Sequence, residues 1–374
     1  YIYQLATVDT RQQQLVQTAQ RYANLLDENL FWIASAKPMD LNWLSDLITA
    51  SRELATSFLR LGNIQNLLQT LWPPPFWLVF VVLICLYLLK QRRALRQRLE
   101  AMVDNIGNVN KDRFSYTVEA VVITIFLTLP WPVLVACFSG LLITRSHGVE
   151  LIEAIGYGFY GIAFFTIFII GLRQLCRPNG LAPIHLHWPE SSCQFLRRHL
   201  SWYLIVGIFC AFVVATTEWH STELYRDTLG RFAFIIGAAA LALLLARVLH
   251  PAKGVFNQLT AYHNVIWSVR YIWRPLLTVI PLILVGVAAA GYYYMALQLL
   301  SRFFMSLCLL VGVTITVGII LRWLRVEQRR LAWAQARAKR EAILAERNKD
   351  SDQTDGEAIP NLQESELLDL DTIS

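Results

Sequence analysis

Seven apolar runs, each long enough to cross a bilayer as a helix, constrain this chain more than any other feature of its sequence. A hydrocarbon core about 30 Å thick takes about 20 predominantly apolar residues in a helix, with a range of about 17–25. The runs lie at about 71–89, 117–144, 149–172, 200–217, 232–249, 276–296 and 303–323. The charge content agrees with them. Only 16% of the 374 residues are charged, against about 25% in soluble domains. A soluble enzyme, a disordered regulator and a secreted disulfide scaffold are excluded. The fold class expected is all-α: a multi-span helical membrane protein with an amphipathic helical stalk outside the membrane.

The first run is introduced by Trp72 and Pro73-Pro74-Pro75, which force an extended entry. Pro130 and Pro132 predict a kink or break in the second. Lys and Arg are divided unequally between alternate connections. Those after runs one, three, five and seven carry 24, while the opposite ones hold only Arg145, Arg226, Arg231 and Arg302. Positive charge marks the cytoplasmic side. The amino-terminal region is therefore expected outside and the carboxyl end inside. The net charge of +6 follows from these membrane-flanking residues and does not point to nucleic acid.

Four regions are expected. Residues 1–70 form the end of an extracytoplasmic helical domain, 71–323 the seven-helix membrane region, 324–349 a basic cytoplasmic helix and 350–374 an acidic linker. In the first, Leu15, Ala19, Tyr22, Leu26, Asn29 and Ile33 recur in steps of four and three, the seam of an amphipathic helix. After Lys37-Pro38, Asp40 is placed to cap a second helix. Leu44, Leu47, Ile48, Leu54, Phe58, Leu61, Ile64 and Leu68 are expected on its buried side. The last region holds eight acids and no base. The whole reads as an internal piece of a larger polypeptide.

Residues 184–200 and 255–273 mix Trp, His, Arg and apolar side chains, as segments lying in the headgroup plane do. Arg92, Arg93, Trp188, Arg197, Arg198, Trp267, Arg270, Trp273 and Arg274 are the candidate lipid-interface residues. Cys176, His185, His187, Cys193 and His199 crowd one connection, but no CxxC anchors them, and they read as interfacial His and buried Cys. Glu119 and Glu153 sit within apolar runs but close to helix ends, where a carboxylate reaches the interface. Gly156, Gly158 and Gly161, and the stretch from Gly286 to Gly291, read as close helix crossings. No Walker motif, nucleophile elbow, HExxH or TVGYG-like filter is found, so neither an enzyme nor a cofactor is expected.

Local phrases then carry a resemblance. They are Leu25-Leu26-Asp27-Glu28-Asn29-Leu30-Phe31-Trp32-Ile33, Pro38, Leu41-x-Trp43-Leu44, Trp72-Pro73, Lys90-x-Arg92-Arg93, Thr128-Leu129-Pro130-Trp131-Pro132 and the closing Leu368-Asp369-Leu370-Asp371-Thr372-Ile373-Ser374. With these the chain resembles the large MscS-type mechanosensitive channels of Gram-negative bacteria, the MscK/MscM kind. The resemblance implies a periplasmic helical domain, peripheral membrane helices, then a pore helix and a β-rich vestibule, with seven subunits around one pore in the inner membrane. It further implies opening under hypo-osmotic stress, release of ions and small solutes, and membrane lipids as partners. This chain corresponds to the stalk end and the peripheral helices, so no pore residue is carried over. The alternative is a membrane subunit of a solute transporter or export complex, which requires polar binding groups at mid-bilayer.

Overall fold

The computed structural model describes residues 11–18, 20, 34–103, 114–146, 148–250 and 264–353. Most of the stalk seam (Ala19, Tyr22, Leu26, Asn29 and Ile33), residues 255–263 and the acidic stretch from 354 lie outside them. The chain divides into two compact units, Tyr1–Arg322 and Trp323–Ser374. Among the described residues the secondary structure is helical, with no strand. The chain is an all-α, multi-span membrane protein.

The helices are α1 Leu41–Leu59, α2 Leu61–Leu71, α3 Phe76–Ala101, α4 Phe114–Thr128, α5 Pro130–Thr144, α6 Glu150–Leu175, α7 Glu190–Trp219, α8 Arg231–Val248, α9 Asn264–Ala289 and α10 Tyr293–Gln353. Their placement follows the apolar runs, and their ends differ for local reasons. α7 begins ten residues before the fourth run, because Pro189 supplies an extended N-cap at the edge of the connection. Residues 190–199 are thus the first turns of a long helix rather than a separate in-plane segment. α9 stops at Ala289, within the sixth run. Gly291 takes φ +109°, Tyr292 N–H donates to Val287 O and Gly291 N–H to Ala288 O. That pair of bonds is a Schellman stop, which requires a residue free of Cβ strain at this position.

Among the described residues, four helices are long and apolar enough to cross a membrane, or up to six if each bent pair is one span. α2 and α3 meet at 77° across the Trp72–Pro75 entry, and α4 and α5 at 45°. The second bend has a simple cause. Pro130 and Pro132 have no N–H for the carbonyls of Phe126 and Thr128, so the ladder fails there. A further apolar helix, Pro275–Ala289, is shorter.

Within Tyr1–Arg322 the helices pack largely in chain order, α5 on α6, α6 on α7, α7 on α8 and α8 on α9. Glycines set the closest approaches. A Cβ on Gly156 would reach Ile143 at 2.7 Å, on the α5 side. One on Gly158 would overlap Thr216 and Phe212, and one on Gly161 would reach Ala215 at 2.9 Å, both on α7. Ser139 Oγ–H reinforces the first contact by donating to Gly156 O at 2.8 Å. These three glycines thus serve crossings, whereas Gly286 faces open space.

The largest core cluster joins α4, α6, α7 and α8 through Leu127, Ile169, Leu200, Tyr203 and Leu241. Outward-facing side chains are apolar too: Ile205 is 72% and Leu309 69% exposed. A soluble protein rarely leaves apolar surface of this extent in water. The stalk helices depart from their expected pattern. The chain breaks at Arg60, and Leu44, Ile48 and Leu68 are exposed. Ala50 is buried instead, while Leu54, Leu67 and Leu71 pack on the α5–α6 cluster of Leu142, Leu151, Ile152 and Ile155. Leu47 is half-buried, and the side chains of Phe58, Leu61 and Ile64 lie outside the described set. Asp40 stands at the N-cap of α1, but its side chain makes no capping bond.

In the second unit, residues 323–353 are helical. Side-chain pairs Arg330–Glu327 and Arg337–Glu341 run along its exposed surface at 3.2 and 3.1 Å.

Candidate functional site

Polar groups inside an apolar bundle are costly unless satisfied. Among the described residues of the first unit, the buried Arg and His side chains, Arg231, His185 and Arg322, fall into two nodes.

At the end where α9 stops, Arg231 is only 1% exposed. Its Nε–H donates to Ala288 O at 2.6 Å, one Nη to Ala289 O at 2.8 Å and the other to Lys37 O at 2.8 Å. A helix C-terminus carries orphan carbonyls and partial negative charge, so a guanidinium is well matched to it. Lys37 belongs to the segment leading into α1. That segment also reaches the same turn directly: Ala36 N–H donates to Gly291 O at 3.0 Å and Met39 N–H to Ala289 O at 3.2 Å. Trp43 Nε1–H donates to Asp227 O at 3.0 Å nearby. The stalk entry, the start of α8 and the α9–α10 turn are thereby one hydrogen-bonded node. In the sequence Arg231 counts only as one of the few basic residues of the opposite connections. Two of its acceptors lie 57 and 58 positions later and the third 194 positions earlier, and no local pattern marks them.

The second node is buried as well. Thr117 is 0%, His185 2% and Arg322 4% exposed. Arg322 Nε–H donates to the Thr117 hydroxyl at 2.8 Å, and that hydroxyl lies 3.2 Å from His185 Nδ1. A neutral imidazole with a lone pair on Nδ1 can accept from the hydroxyl. The connection holding His185 winds as a wide turn, Leu181–His185, and brings the ring to α4. Burial, then the Arg322 charge, then His187 push this imidazole down to about 4. The folded value lies below the unfolded one of about 6.5. Stability from the neutral ring is therefore complete above that value and is lost as pH falls toward 4. The melting temperature of the full chain should fall across this window, and less steeply in His185→Gln, whose amide oxygen still accepts from Thr117. Identical slopes would show that another group titrates.

The third cluster is basic. Arg92 on α3 donates to Leu127 O at 3.0 Å, a carbonyl at the α4–α5 bend. Arg92, Arg173 and Arg197 line one cavity of about 250 Å³ with Leu89, Trp131, Ile170, Gln174 and Leu204. Arg96 and Arg177 lie within the field of these charges. Of the sequence-predicted interface residues, the structure thus brings Arg92 and Arg197 together, while Arg93 and Arg198 are exposed elsewhere on the same helices. Trp188 is half-buried against the main core. Trp267, Arg270, Trp273 and Arg274 fall on α9, but their side chains lie outside the described residues. Arg173 was readable only as one more positive charge, because helix-face periodicity is weak where lipid and core faces are both apolar.

Cys176 and Cys193 come together through a side-chain hydrogen bond, which joins the end of α6 to the start of α7. No group of three His, Cys, Asp or Glu side chains suited to a metal is found among the described residues. Glu119 is exposed in the second turn of α4 and Glu153 half-buried in the first turn of α6.

Comparison with known proteins gives this arrangement a family. The profile described as "Mechanosensitive ion channel inner membrane domain 1" matches residues 73–374. The chain is 25% identical over 358 residues to "Miniconductance mechanosensitive channel MscM" of Escherichia coli (strain K12), covering 92% of this chain and 31% of that protein. It is 24% identical over 343 residues to "Mechanosensitive channel MscK" of the same organism, covering 90% and 29%. An "Uncharacterized MscS family protein" of Haemophilus influenzae is 26% identical over 353 residues, covering 91% and 30%. The chain thus spans less than a third of the length of these relatives. No solved structure matches. With the family profile covering α3 through the end of the sequence, the chain belongs to the MscS-type mechanosensitive ion channel inner membrane domain family.

Proposed function

We propose that this chain is the tension-sensing membrane region of an MscS-type mechanosensitive channel, which opens under hypo-osmotic stress and passes ions and small solutes. The observation that carries the reading is the family match across the whole apolar bundle. Physical support comes from the surface. Large apolar side chains face outward along α3, α7 and α10, so these helices offer wide lipid contact. If two states of an assembly differ in in-plane area, tension favours the wider by the product of tension and that difference. The pore belongs to parts of the protein beyond these helices, and seven copies surround it.

The seven apolar runs cross the inner membrane, with residues 1–70 periplasmic and the basic helix and acidic linker cytoplasmic. The charge asymmetry between alternate connections supports this orientation. A membrane-impermeant thiol reagent added to intact spheroplasts should label Ser221→Cys, between α7 and α8, and leave Ser191→Cys unlabelled until the membrane is opened. Both positions are exposed. The reverse pattern would invert the topology. Function is tested by patch-clamp recording of the full-length protein in giant spheroplasts devoid of other tension-gated channels. Suction-gated unitary currents support the channel. Saturable solute flux insensitive to suction would sink it in favour of a transporter.

A further inference from the structure

The arginine cavity has a property that a diffuse basic collar lacks. A basic side chain that merely reaches for the interface keeps its donors in water. Here the Nε atoms of Arg92, Arg96 and Arg173 are sealed from solvent and have no hydrogen-bond acceptor. No carboxylate among the described residues forms an ion pair with Arg92, Arg96, Arg173, Arg177 or Arg197. Among the described residues, the charge of Glu100 reaches Arg177 without forming an ion pair. Four guanidinium groups on three helices and that of Arg177, just past the end of α6, are therefore held together against their own repulsion, with sealed donors left open. Such an arrangement costs stability unless an anion completes it.

The walls say what kind of anion. The cavity is lined by Arg92, Arg173, Arg197 and Gln174 together with the apolar Leu89, Trp131, Ile170 and Leu204, and Leu89 and Ile170 each stand one turn before an arginine on the same helix. Trp131 is also exposed on the outer surface of α5. Arg92 stands 16 residues after Phe76, about 24 Å along the helix, and Arg173 lies in the last turn of α6. Both positions fit the headgroup level of a leaflet. Guanidinium forks match phosphate oxygens, and an indole suits the boundary between headgroup and acyl chain. We propose that this cavity binds the phosphate of an anionic phospholipid, with the chains leaving along the apolar lining past Trp131. The site rests on membrane insertion alone and not on the gating reading.

The test uses the full-length protein in detergent, stripped of lipid and titrated with phosphatidylglycerol, phosphatidylcholine or inorganic phosphate. Native mass spectrometry reads the bound species and a thermal melt the stabilisation. Phosphatidylglycerol should bind and raise the melting temperature, whereas phosphatidylcholine and inorganic phosphate should do neither. In Arg173→Gln/Arg197→Gln the affinity should drop by about tenfold or more, and the lipid-free melting temperature should hold or rise, because repulsion has been relieved. The charge-matched control Lys90→Gln/Arg98→Gln, at exposed positions of α3, should bind as the unsubstituted protein does. If the double variant does not fold, Arg173→Lys tests the same point: it keeps the charge but loses the fork and should weaken binding. Equal losses in cavity and control variants would overturn the proposal in favour of a diffuse collar. Equal stabilisation by inorganic phosphate would overturn the lipid as the source of the anion.

Discussion

Replacing Arg231 with Met should strip the full-length protein of much of its thermal stability and free the stalk entry from the helix bundle. The substitution nearly preserves volume but removes all three donors, leaving the carbonyls of Ala288, Ala289 and Lys37 short of partners. The carbonyls of Ala288 and Ala289 keep the N–H groups of Gly291 and Met39, so the loss is that of three hydrogen bonds to a charged group, each worth about 1.5–3 kcal/mol. Several such costs are a large share of a typical stability of about 5–15 kcal/mol. Arg231→Lys should fall between the two, since one ammonium cannot span three carbonyls on two segments. Asp227 offers a control. It interacts with Arg231 by charge, but the hydrogen bonds go to main-chain oxygens. Adding Asp227→Asn to Arg231→Met should therefore rescue nothing. Melting temperature and protease cleavage near residues 34–40 are the readouts. A variant as stable and as resistant as the unsubstituted protein would show that the node contributes nothing.

Leu284→Asp should be nearly as severe. Leu284 is buried against Phe234, Ala238, Ala288, Tyr293 and Ala296, where α8, α9 and the start of α10 meet. Leu284 stands five residues before the end of α9, so a carboxylate there costs at most the about 2.5–3.5 kcal/mol that insertion scales give for a helix centre. The lost packing adds about 2–5 kcal/mol, the range for removing a buried leucine side chain. The expected result is a sharp drop in membrane yield and in the melting temperature of what remains. Alanine separates packing from polarity. Leu284→Ala should destabilise clearly, whereas Ile283→Ala should do little, because Ile283 is exposed. Equal effects at the two neighbouring positions would mean that α9 presents a different face to the bundle.

The apolar runs, the Pro130–Pro132 break and the basic character of one set of connections were all legible in the sequence. Each depends on local composition. Helix ends were less so, because a Schellman stop at Gly291 and an early start at Glu190 both lie where the hydropathy signal is ambiguous. The stalk face was misread. Leu54 packs inward and Leu47 is half-buried as their period implies, but Leu44 and Ile48 on the same helix stay exposed with Ala50 buried, and the break at Arg60 resets the phase for Leu68. The nodes were hidden for a different reason. Arg231 with Ala288, and Thr117 with Arg322, join residues far apart in the chain. In a lipid-embedded bundle apolar residues cover both faces, so pattern alone cannot say which arginine on α3 or α6 turns inward.

The bonds between the stalk entry and the α9–α10 turn run mostly through the main chain: Ala36 to Gly291, Met39 to Ala289, Arg231 to Lys37. Side-chain identity at 36, 37, 39 and 289 is therefore nearly free to drift over evolutionary time, while Arg231, Gly291 and Ala288, which is buried beside Leu284 and Tyr293, are not. Homologous chains can thus diverge widely along this strap and still keep the segment before α1 fastened to the bundle.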